Sequence, residues 1–290
     1  MKNYISSPSK TTKILADNNI RLRKSLGQNY IIDTNSVKKM VSLTRITGED
    51  IILEIGCGIG SLTEVLLENI PAKIICIEVD SKVAEVFRNI FHEKIKNGKI
   101  ELIIEDAMDI DYGKLSSNYN INKMISNLPY KIAAPLILKI LRETDKIPQS
   151  WMTIQKDIAV RLTAKPGDKN YSSYTVKSST LVSCRSCFNI SRNCFLPKPF
   201  VDSTVIGLTR KEIPPELRAG DGIERFFNLV NASFAHRRKM LLNSLSKNKD
   251  LSKELDRIAK LLPEIGKSKE VRAEELSLED YIFLYKNISI

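Results

Sequence analysis

Short apolar runs alternate with amphipathic segments along the first half of the chain, and this alternation constrains the fold more than any other feature. The runs at 51–55, 73–78, 99–104, 124–126 and 151–154 have the length and apolar content of buried strands. Amphipathic segments of helical periodicity lie between them. Since parallel strands need crossover connections of this kind, the alternation predicts an α/β fold with a mostly parallel, doubly wound sheet.

The pattern changes near Glu212-Ile213-Pro214-Pro215, and beyond it only helical periodicity is found. We therefore predict a sheet domain over 21–211 and a small all-helical C-terminal domain over 212–290. Residues 1–20 are polar, which predicts a flexible N-terminal tail. They also contain no apolar core of a secretory signal, and no later stretch approaches membrane-spanning length. We expect a cytoplasmic protein with no membrane partner.

The charge of the chain favours a polyanionic partner. The 290 residues carry a formal net charge of +11 and a pI of about 9.3, which favours nucleic acid over a membrane surface. The basic residues cluster at Arg21, Arg23 and Lys24 and again at His236-Arg237-Arg238-Lys239. Either cluster could bind phosphates, which would make binding depend on salt.

The five cysteines do not form the pattern of a secreted disulfide framework, because their number is odd and they are scattered. Cys184 and Cys187 have the spacing of a metal knuckle, but no second pair follows. Cys194 could be a third ligand, and a fourth is not evident. Buried cysteines within strands are the favoured interpretation. We expect no metal.

A glycine-rich turn follows the first strand, in the segment Glu54-Ile55-Gly56-Cys57-Gly58-Ile59-Gly60. Glycines let the backbone turn tightly and approach a ligand closely. The spacing is G-x-G-x-G, whereas dinucleotide-binding sheets have G-x-G-x-x-G. The acidic Glu54 before the turn suits a cationic ligand better than a pyrophosphate. S-adenosylmethionine, a sulfonium with an amino-acid end, fits these features.

Acidic residues end the next two predicted strands. Glu78 could accept from both hydroxyls of a ribose, although it could also be an ordinary solvated glutamate. Asp106 could accept from an adenine amine, although it could also cap a helix that begins at Ala107. Because carboxyl ends of parallel strands share one edge of a sheet, the three strand ends together favour a nucleoside cofactor.

The tetrapeptide Asn127-Leu128-Pro129-Tyr130 ends the fourth strand and predicts a pocket for a flat base with an exocyclic amine. The Asn127 side-chain oxygen and the Leu128 carbonyl can accept the two amine hydrogens, which would free the nitrogen lone pair for attack on a methyl group. Tyr130 and Phe195 are candidates to sandwich a base extracted from its stack. The simpler alternatives are a polar turn with a corner proline and, for Phe195, a core aromatic.

Six elements, in this order, resemble those of one family, the KsgA-type ribosomal RNA adenine N6,N6-dimethyltransferases. The resemblance extends from about Arg23 to the C-terminus and rests on Leu26-Gly27-Gln28-Asn29-Tyr30, Glu54 to Gly60, Asn127 to Tyr130, Phe195 to Ser203, Arg237-Arg238-Lys239 with Asn243-Ser244-Leu245, and Arg272 to Ser277. It implies a Rossmann-like methyltransferase sheet. It also implies dimethylation of two adjacent adenines near the 3′ end of small-subunit (16S) rRNA, in ribosome biogenesis.

The resemblance assigns roles to single residues. It places the cofactor contacts on Asn29, Ile31, Gly56, Glu78, Asp106 and Asn127. The first two would close over the cofactor, Gly56 would contact its amino-acid end, Glu78 its ribose and Asp106 its adenine. Asn127 would lie between the cofactor methyl group and the target amine. The implied partner is small-subunit rRNA in an immature 30S subunit, bound by a monomer.

The chain departs from the family pattern at three places. Tyr30 replaces a usual phenylalanine, which is a mild change if the ring only packs. Cys57 stands where proline is frequent. Tyr171-Ser172-Ser173-Tyr174 stands where the family often has Tyr-Gly-Arg-Leu, so an RNA contact of that loop is not carried over.

Three other functions remain open at this point. An Erm-like large-subunit rRNA methyltransferase would share the fold, the cofactor and the tetrapeptide pattern. A ribosome assembly factor could use the fold without catalysis. An oxidoreductase is disfavoured by the glycine spacing.

Overall fold

The computed structural model describes residues 3–23 and 27–289. The predictions that involve Lys24 and Leu26 lie outside the described residues. The chain divides into two compact units, Met1–Ala159 with Cys184–Arg210 and Val160–Ser183 with Lys211–Ile290.

The strands of the described residues are β1 (Tyr30–Ile31), β2 (Ile51–Ile55), β3 (Lys73–Glu78), β4 (Ile100–Ile104), β5 (Lys123–Asn127), β6 (Gln149–Gln155), β7 (Val182–Ile190), β8 (Phe195–Leu196) and β9 (Ser203–Arg210).

The first unit is built on a seven-stranded sheet with the strand order β4-β3-β2-β5-β6-β9-β7. Strands β4, β3, β2, β5 and β6 pair in parallel, and β9 pairs antiparallel with β6. This confirms the predicted α/β class.

Helices connect the parallel strands and complete the second unit. The α-helices are α1 (Pro8–Asp17), α2 (Thr34–Ser42), α3 (Ser61–Glu68), α4 (Ser81–Ile90), α5 (His92–Lys96), α6 (Tyr112–Tyr119), α7 (Ala133–Glu143), α8 (Lys156–Thr163), α9 (Ser173–Leu181), α10 (Gly222–Phe234), α11 (Leu241–Leu245), α12 (Leu255–Leu261) and α13 (Leu278–Lys286). Short 3-10 turns cover Arg192–Cys194, Pro215–Leu217, Leu251–Glu254, Leu262–Ile265 and Ala273–Glu275.

The core of the first unit lies around β2, whose neighbours on both sides run parallel to it. Ile52 and Leu53 of β2 pair with β3 on one side and with β5 on the other, and both side chains are fully buried. A strand buried on both faces is mostly apolar, which explains the run Ile51-Ile52-Leu53; Glu54 is the buried polar exception.

The N-terminal segment differs from the predicted flexible tail, because it is ordered against α2 and α3. Ile5 is 2% exposed, and its backbone N–H donates to Glu64 Oε2 at 2.6 Å. The Thr11 hydroxyl donates to the Ile5 carbonyl at 2.5 Å, and Ser6 and Thr34 share a hydrogen bond of 2.9 Å. The sequence did not predict this docking, because the segment has few apolar residues. The surface that it packs on is formed by α2 and α3, which are distant in the sequence.

The second unit includes residues that the sequence analysis placed in the sheet domain. The structure groups Val160–Ser183 with the C-terminal residues rather than with the sheet. Helix α9 lies in this segment and packs against α10 and α13. The Tyr171 hydroxyl donates to the Leu276 carbonyl at 2.8 Å, and Ser172 forms a capping box with Thr175. The Tyr171–Tyr174 departure from the family pattern therefore begins a helix of this unit.

Neither a membrane helix nor a metal cluster is found in the part of the chain that the structure describes. None of its helices is long and apolar enough to cross a bilayer. Within 3–23 and 27–289, no three His, Cys, Asp or Glu side chains come together as metal ligands.

We expect Ile5→Ala to lower the free energy of unfolding by about 2–4 kcal/mol, because it leaves a cavity under the N-terminal segment. Urea denaturation would measure the change. Ile70→Ala is the matched control, since Ile70 is 70% exposed. Equal stability of the two variants would support the flexible tail instead.

Candidate active site

One cavity of about 280 Å³ lies at the carboxyl ends of the parallel strands of the first unit. Every residue predicted to contact a cofactor lines it, together with Leu128 and Pro129 of the tetrapeptide; the predicted residues are Asn29, Ile31, Gly56, Glu78, Asp106 and Asn127. Parallel pairing explains the convergence, because β2, β3, β4 and β5 all end at this edge.

The glycine turn after β2 needs its glycines for backbone conformation and for space. Gly56 and Gly58 have φ angles of +71° and +57°, values that residues with a Cβ atom rarely adopt. A Cβ atom on Gly58 would lie 2.5 Å from Tyr30 Cε1, and one on Gly56 would lie 3.1 Å from Pro129 Cγ. The turn therefore packs directly against β1 and against the tetrapeptide.

Glu78 is not a solvated glutamate but a buried anchor of the glycine turn. Its Oε2 accepts from the Gly58 N–H and its Oε1 accepts from the Asp80 N–H, both at 2.9 Å. Burial raises the pKa of this carboxyl above its ordinary value. A carboxylate oxygen can accept more than one hydrogen bond, so acceptor capacity remains toward the cavity.

Asp106 lines the cavity from an exposed position after β4. Its Oδ1 accepts from the Met108 N–H at 2.8 Å, which forms a turn rather than an α-helix cap. Its second carboxylate oxygen leaves acceptor capacity for a ligand amine.

Glu54 is wholly buried at the end of β2 and is 1% exposed. The Thr63 hydroxyl donates to its Oε2 at 2.7 Å. Burial raises the pKa of Glu54 to about 8, although the hydrogen bond from Thr63 opposes this. At neutral pH much of this carboxyl is therefore in the neutral form, and a cation bound nearby would favour loss of its proton.

Asn127 has its amide fixed in one orientation. The Nδ2 donates to the Asn29 carbonyl at 2.8 Å. The Oδ1 is buried and has no hydrogen-bond partner. A buried acceptor without a donor is costly in a folded protein. Its position on the cavity wall therefore indicates that a ligand supplies the donor.

Two further polar atoms on the cavity wall are buried without a partner, the hydroxyls of Tyr30 and Ser61. Three such side-chain atoms thus belong to residues that line one cavity. This concentration indicates a polar ligand. Ser61 was not among the predicted site residues, and Tyr30 was expected only to pack. The signal for Ser61 was a hydroxyl directly after Gly60, at the start of α3.

Tyr130 and Phe195 do not line the cavity, and the structure does not arrange them as a sandwich. Their rings meet edge to face, with centroids 6.2 Å apart and planes at 63°. Both are buried, and the Tyr130 hydroxyl shares a hydrogen bond with Ser203. A base between two parallel rings needs about 7 Å, twice the stacking step of ~3.4 Å. The rings would have to separate to admit one.

The small sheet of β1 and β8 places Phe195 beside the residues that cover the cavity. Tyr30 pairs with Leu196 and Ile31 pairs with Phe195 in antiparallel register. The Ile32 N–H adds a hydrogen bond to the Cys194 carbonyl at 2.8 Å. The cavity wall and the predicted base-stacking residue therefore share one backbone ladder.

The two basic clusters are partly occupied by internal partners. Arg23 Nε lies 3.8 Å from Asp80 Oδ2, and Arg237 Nε lies 2.9 Å from Glu274 Oε2. His236, Arg238 and Lys239 are exposed. Arg23 and Arg237 thus hold local structure, and His236, Arg238 and Lys239 remain candidates for phosphate contacts.

We expect Glu54→Gln to remove a loss of stability that accompanies a rise in pH from 4.5 to about 8. The folded pKa of about 8 lies above the ordinary value of 4.5. The proton-linked stability is therefore complete below pH 4.5 and is lost as pH rises through 8, at no more than about 1.4 kcal/mol per pH unit. Gln can still accept the Thr63 hydrogen bond and does not titrate.

Urea denaturation at pH 5.5 and pH 8.5 would check this. The wild type should lose more stability between the two values than Glu54→Gln does. Glu49→Gln is the control, since Glu49 is exposed. Identical pH dependence in wild type and Glu54→Gln would contradict a protonated buried carboxyl.

Comparison with known proteins places this cavity in a family context. The sequence model described as ribosomal RNA adenine dimethylase matches residues 19–287. Proteins named ribosomal RNA small subunit methyltransferase A are similar throughout. The one from Geobacillus thermodenitrificans is 34% identical, with 98% of this chain and 97% of the relative covered. The one from Chlamydia abortus is 36% identical, with 98% of each covered.

Solved structures agree with the fold. A dimethyladenosine transferase from Plasmodium falciparum superposes with a TM-score of 0.68 and 26% identity, over 87% of this chain and 94% of that one. The 23S rRNA methyltransferase ErmE superposes with a TM-score of 0.63 and 21% identity, over 88% and 97% of the two chains, which shows a shared fold alone. With the family model matching nearly its whole length, the chain belongs to the ribosomal RNA adenine dimethylase family.

Proposed function

We propose that this protein transfers methyl groups from S-adenosylmethionine to the N6 amines of two adjacent adenines near the 3′ end of small-subunit rRNA. The product would be N6,N6-dimethyladenosine. The observation that carries the proposal is the buried, unpartnered Asn127 Oδ1 on the cavity wall. Membership in the adenine dimethylase family, and relatives named as small-subunit methyltransferases, support this substrate over large-subunit rRNA.

The residues around the cavity fit S-adenosylmethionine. Asn29 and Ile31 would cover it, the backbone at Gly56 would approach its amino-acid end, and Glu78 and Asp106 would accept from its ribose hydroxyls and its adenine amine. Glycine at these positive-φ positions leaves the backbone without Cβ atoms where that approach is needed. When bound, this cofactor supplies a methyl group on a sulfonium centre.

Asn127 would act as an acceptor that cannot rotate away. Because its Nδ2 is held by the Asn29 carbonyl, only its Oδ1 is free to meet a substrate N–H. The Leu128 carbonyl would accept the second hydrogen of an adenine amine, and Pro129 would set the turn that carries it. Two acceptors aimed at the two hydrogens draw electron density onto the nitrogen and direct its lone pair.

The proposed reaction depends on alignment more than on acid–base chemistry. The nitrogen–carbon bond would form as the carbon–sulfur bond breaks and leaves a neutral thioether, and the methylated amine would release one proton to water. The nitrogen and the methyl group must be held in line, and positioning of this kind accounts for large rate enhancements. Tyr130 and Phe195 would hold the flipped base once their edge-to-face contact opens. The same acceptor pair would bind the monomethylated amine through its one remaining hydrogen, so the second transfer uses the same site.

The proposal extends to the setting of the reaction. We place the protein in the cytoplasm, acting as a monomer on immature 30S subunits. The net charge of +11 supports a polyanionic partner.

We expect Asn127→Ala to lower methyl transfer by about 100-fold or more, because the acceptor for the reacting amine is lost. Cofactor affinity should fall much less, since the other five predicted contacts remain. Tritiated S-adenosylmethionine and undermethylated small subunits would give the rate, with the modified nucleoside mapped. Asn118→Ala, on the exposed face of α6, is the matched control.

The outcomes separate the alternatives. N6,N6-dimethyladenosine at the paired adenines in wild type, lost in Asn127→Ala, is the expected result. Label only in large-subunit rRNA would favour the Erm-like function. Cofactor binding without any transfer, with normal subunit maturation in Asn127→Ala cells, would favour an assembly factor.

A further inference from the structure

Phe200 is the most exposed aromatic side chain among the described residues, at 92% exposure. Every other Phe, Tyr or Trp in the part of the chain that the structure describes is buried or half-buried. A ring exposed to water lacks the favourable free energy that an aromatic side chain gains from burial in a core. An exposed ring of this kind therefore requires a local explanation.

The loop that carries Phe200 is held in place from both sides. Arg192 Nη1 donates to the Phe200 carbonyl at 3.3 Å, and the Arg192 N–H donates to Asp202 Oδ1 at 2.9 Å. The Lys156 N–H donates to the Asp202 carbonyl at 3.1 Å. Pro197 and Pro199 fix two further φ angles. The ring is thus presented to solvent by a backbone that has little freedom left to lose on binding.

This loop borders the pair of rings proposed to hold the target base. It connects Phe195 of β8 with Ser203 of β9, and Ser203 shares a hydrogen bond with the Tyr130 hydroxyl. Phe200 therefore lies five residues after one member of the pair and three residues before the anchor of the other.

Three exposed cationic residues belong to this loop or bond to it. Lys198 lies in the loop, and the backbone N–H groups of Arg192 and Lys156 both donate to Asp202. Val201, 39% exposed, is the one other exposed large apolar side chain of this loop. A protein interface of ordinary size needs a wider apolar patch than this, whereas one ring with flanking cations is the arrangement found at single-stranded nucleic-acid sites.

We propose that Phe200 is a stacking platform for an unpaired nucleobase of the RNA substrate, adjacent to the target adenine. Arg192 and Lys198 neutralise the neighbouring phosphates. The inference rests on the proposed function, since the RNA must present its target base at the Tyr130–Phe195 pair. Stacking on one face of a ring tolerates any base, so Phe200 contributes affinity and alignment rather than sequence choice.

The test compares Phe200→Ala and Phe200→Trp with the wild type. The probe is a single-stranded RNA oligonucleotide that contains two adjacent adenines with unpaired flanks. Phe200→Ala should weaken its binding about tenfold, in the range known for loss of one base–aromatic stack. The KM for undermethylated small subunits should rise, while the Kd for S-adenosylmethionine stays unchanged.

Phe200→Trp supplies a direct signal. It should retain RNA affinity, and its fluorescence should be quenched by the oligonucleotide. The chain has one tryptophan, Trp151, which is buried, so the wild type gives the baseline. Ile70→Ala is the matched control for removal of an exposed apolar side chain and should leave RNA binding unchanged.

Two results would overturn the inference. The first is RNA affinity equal to wild type in Phe200→Ala, together with unquenched emission in Phe200→Trp. The second is a defect on intact subunits only, with normal binding of naked RNA, which would assign Phe200 to a protein contact. In both cases methyl transfer by the wild type would leave the proposed function standing, whereas its absence would refute the proposed function separately.

Discussion

The parallel pairing of β2 with β3 and β5 is the constraint on which the rest of the first unit depends. It buries Ile52 and Leu53 completely and fixes the direction in which the flanking strands end. The glycine turn, Glu78 and the tetrapeptide then meet at one edge. None of these groups could form the cavity from its own segment, because β2 and β5 are about seventy residues apart in the chain.

A series of hydrogen bonds connects the cavity to Phe195 of β8. Asn127 donates to the backbone of Asn29, which directly precedes β1, and β1 pairs with β8 at Phe195. The residue proposed to accept from the target amine and the ring proposed to hold the base are therefore held by one short ladder. Substitutions in β1 should therefore affect both the cavity, which β1 lines, and the position of Phe195, with which β1 pairs.

The buried polar atoms of the cavity wall lower the stability of the fold and can form hydrogen bonds with a ligand. Asn127 Oδ1 and the hydroxyls of Tyr30 and Ser61 lack partners, and burial holds Glu54 at a raised pKa. Each is unfavourable by itself. A cationic cofactor would favour the charged form of Glu54 and a substrate amine would donate to Asn127 Oδ1, which is a physical reason for groups of this kind on one cavity wall.

The sequence by itself determined the α/β class, the strand ends that carry the site and the family, because apolar periodicity and residue order are local properties. It also predicted six of the residues that line the cavity as cofactor contacts, although not Ser61. Only the tertiary structure decided that residues 3–17 dock on α2 and α3, that Val160–Ser183 groups with the C-terminal helices, and that Tyr130 meets Phe195 edge to face. Each of these depends on surfaces contributed by distant segments, and no local pattern records how such surfaces fit together.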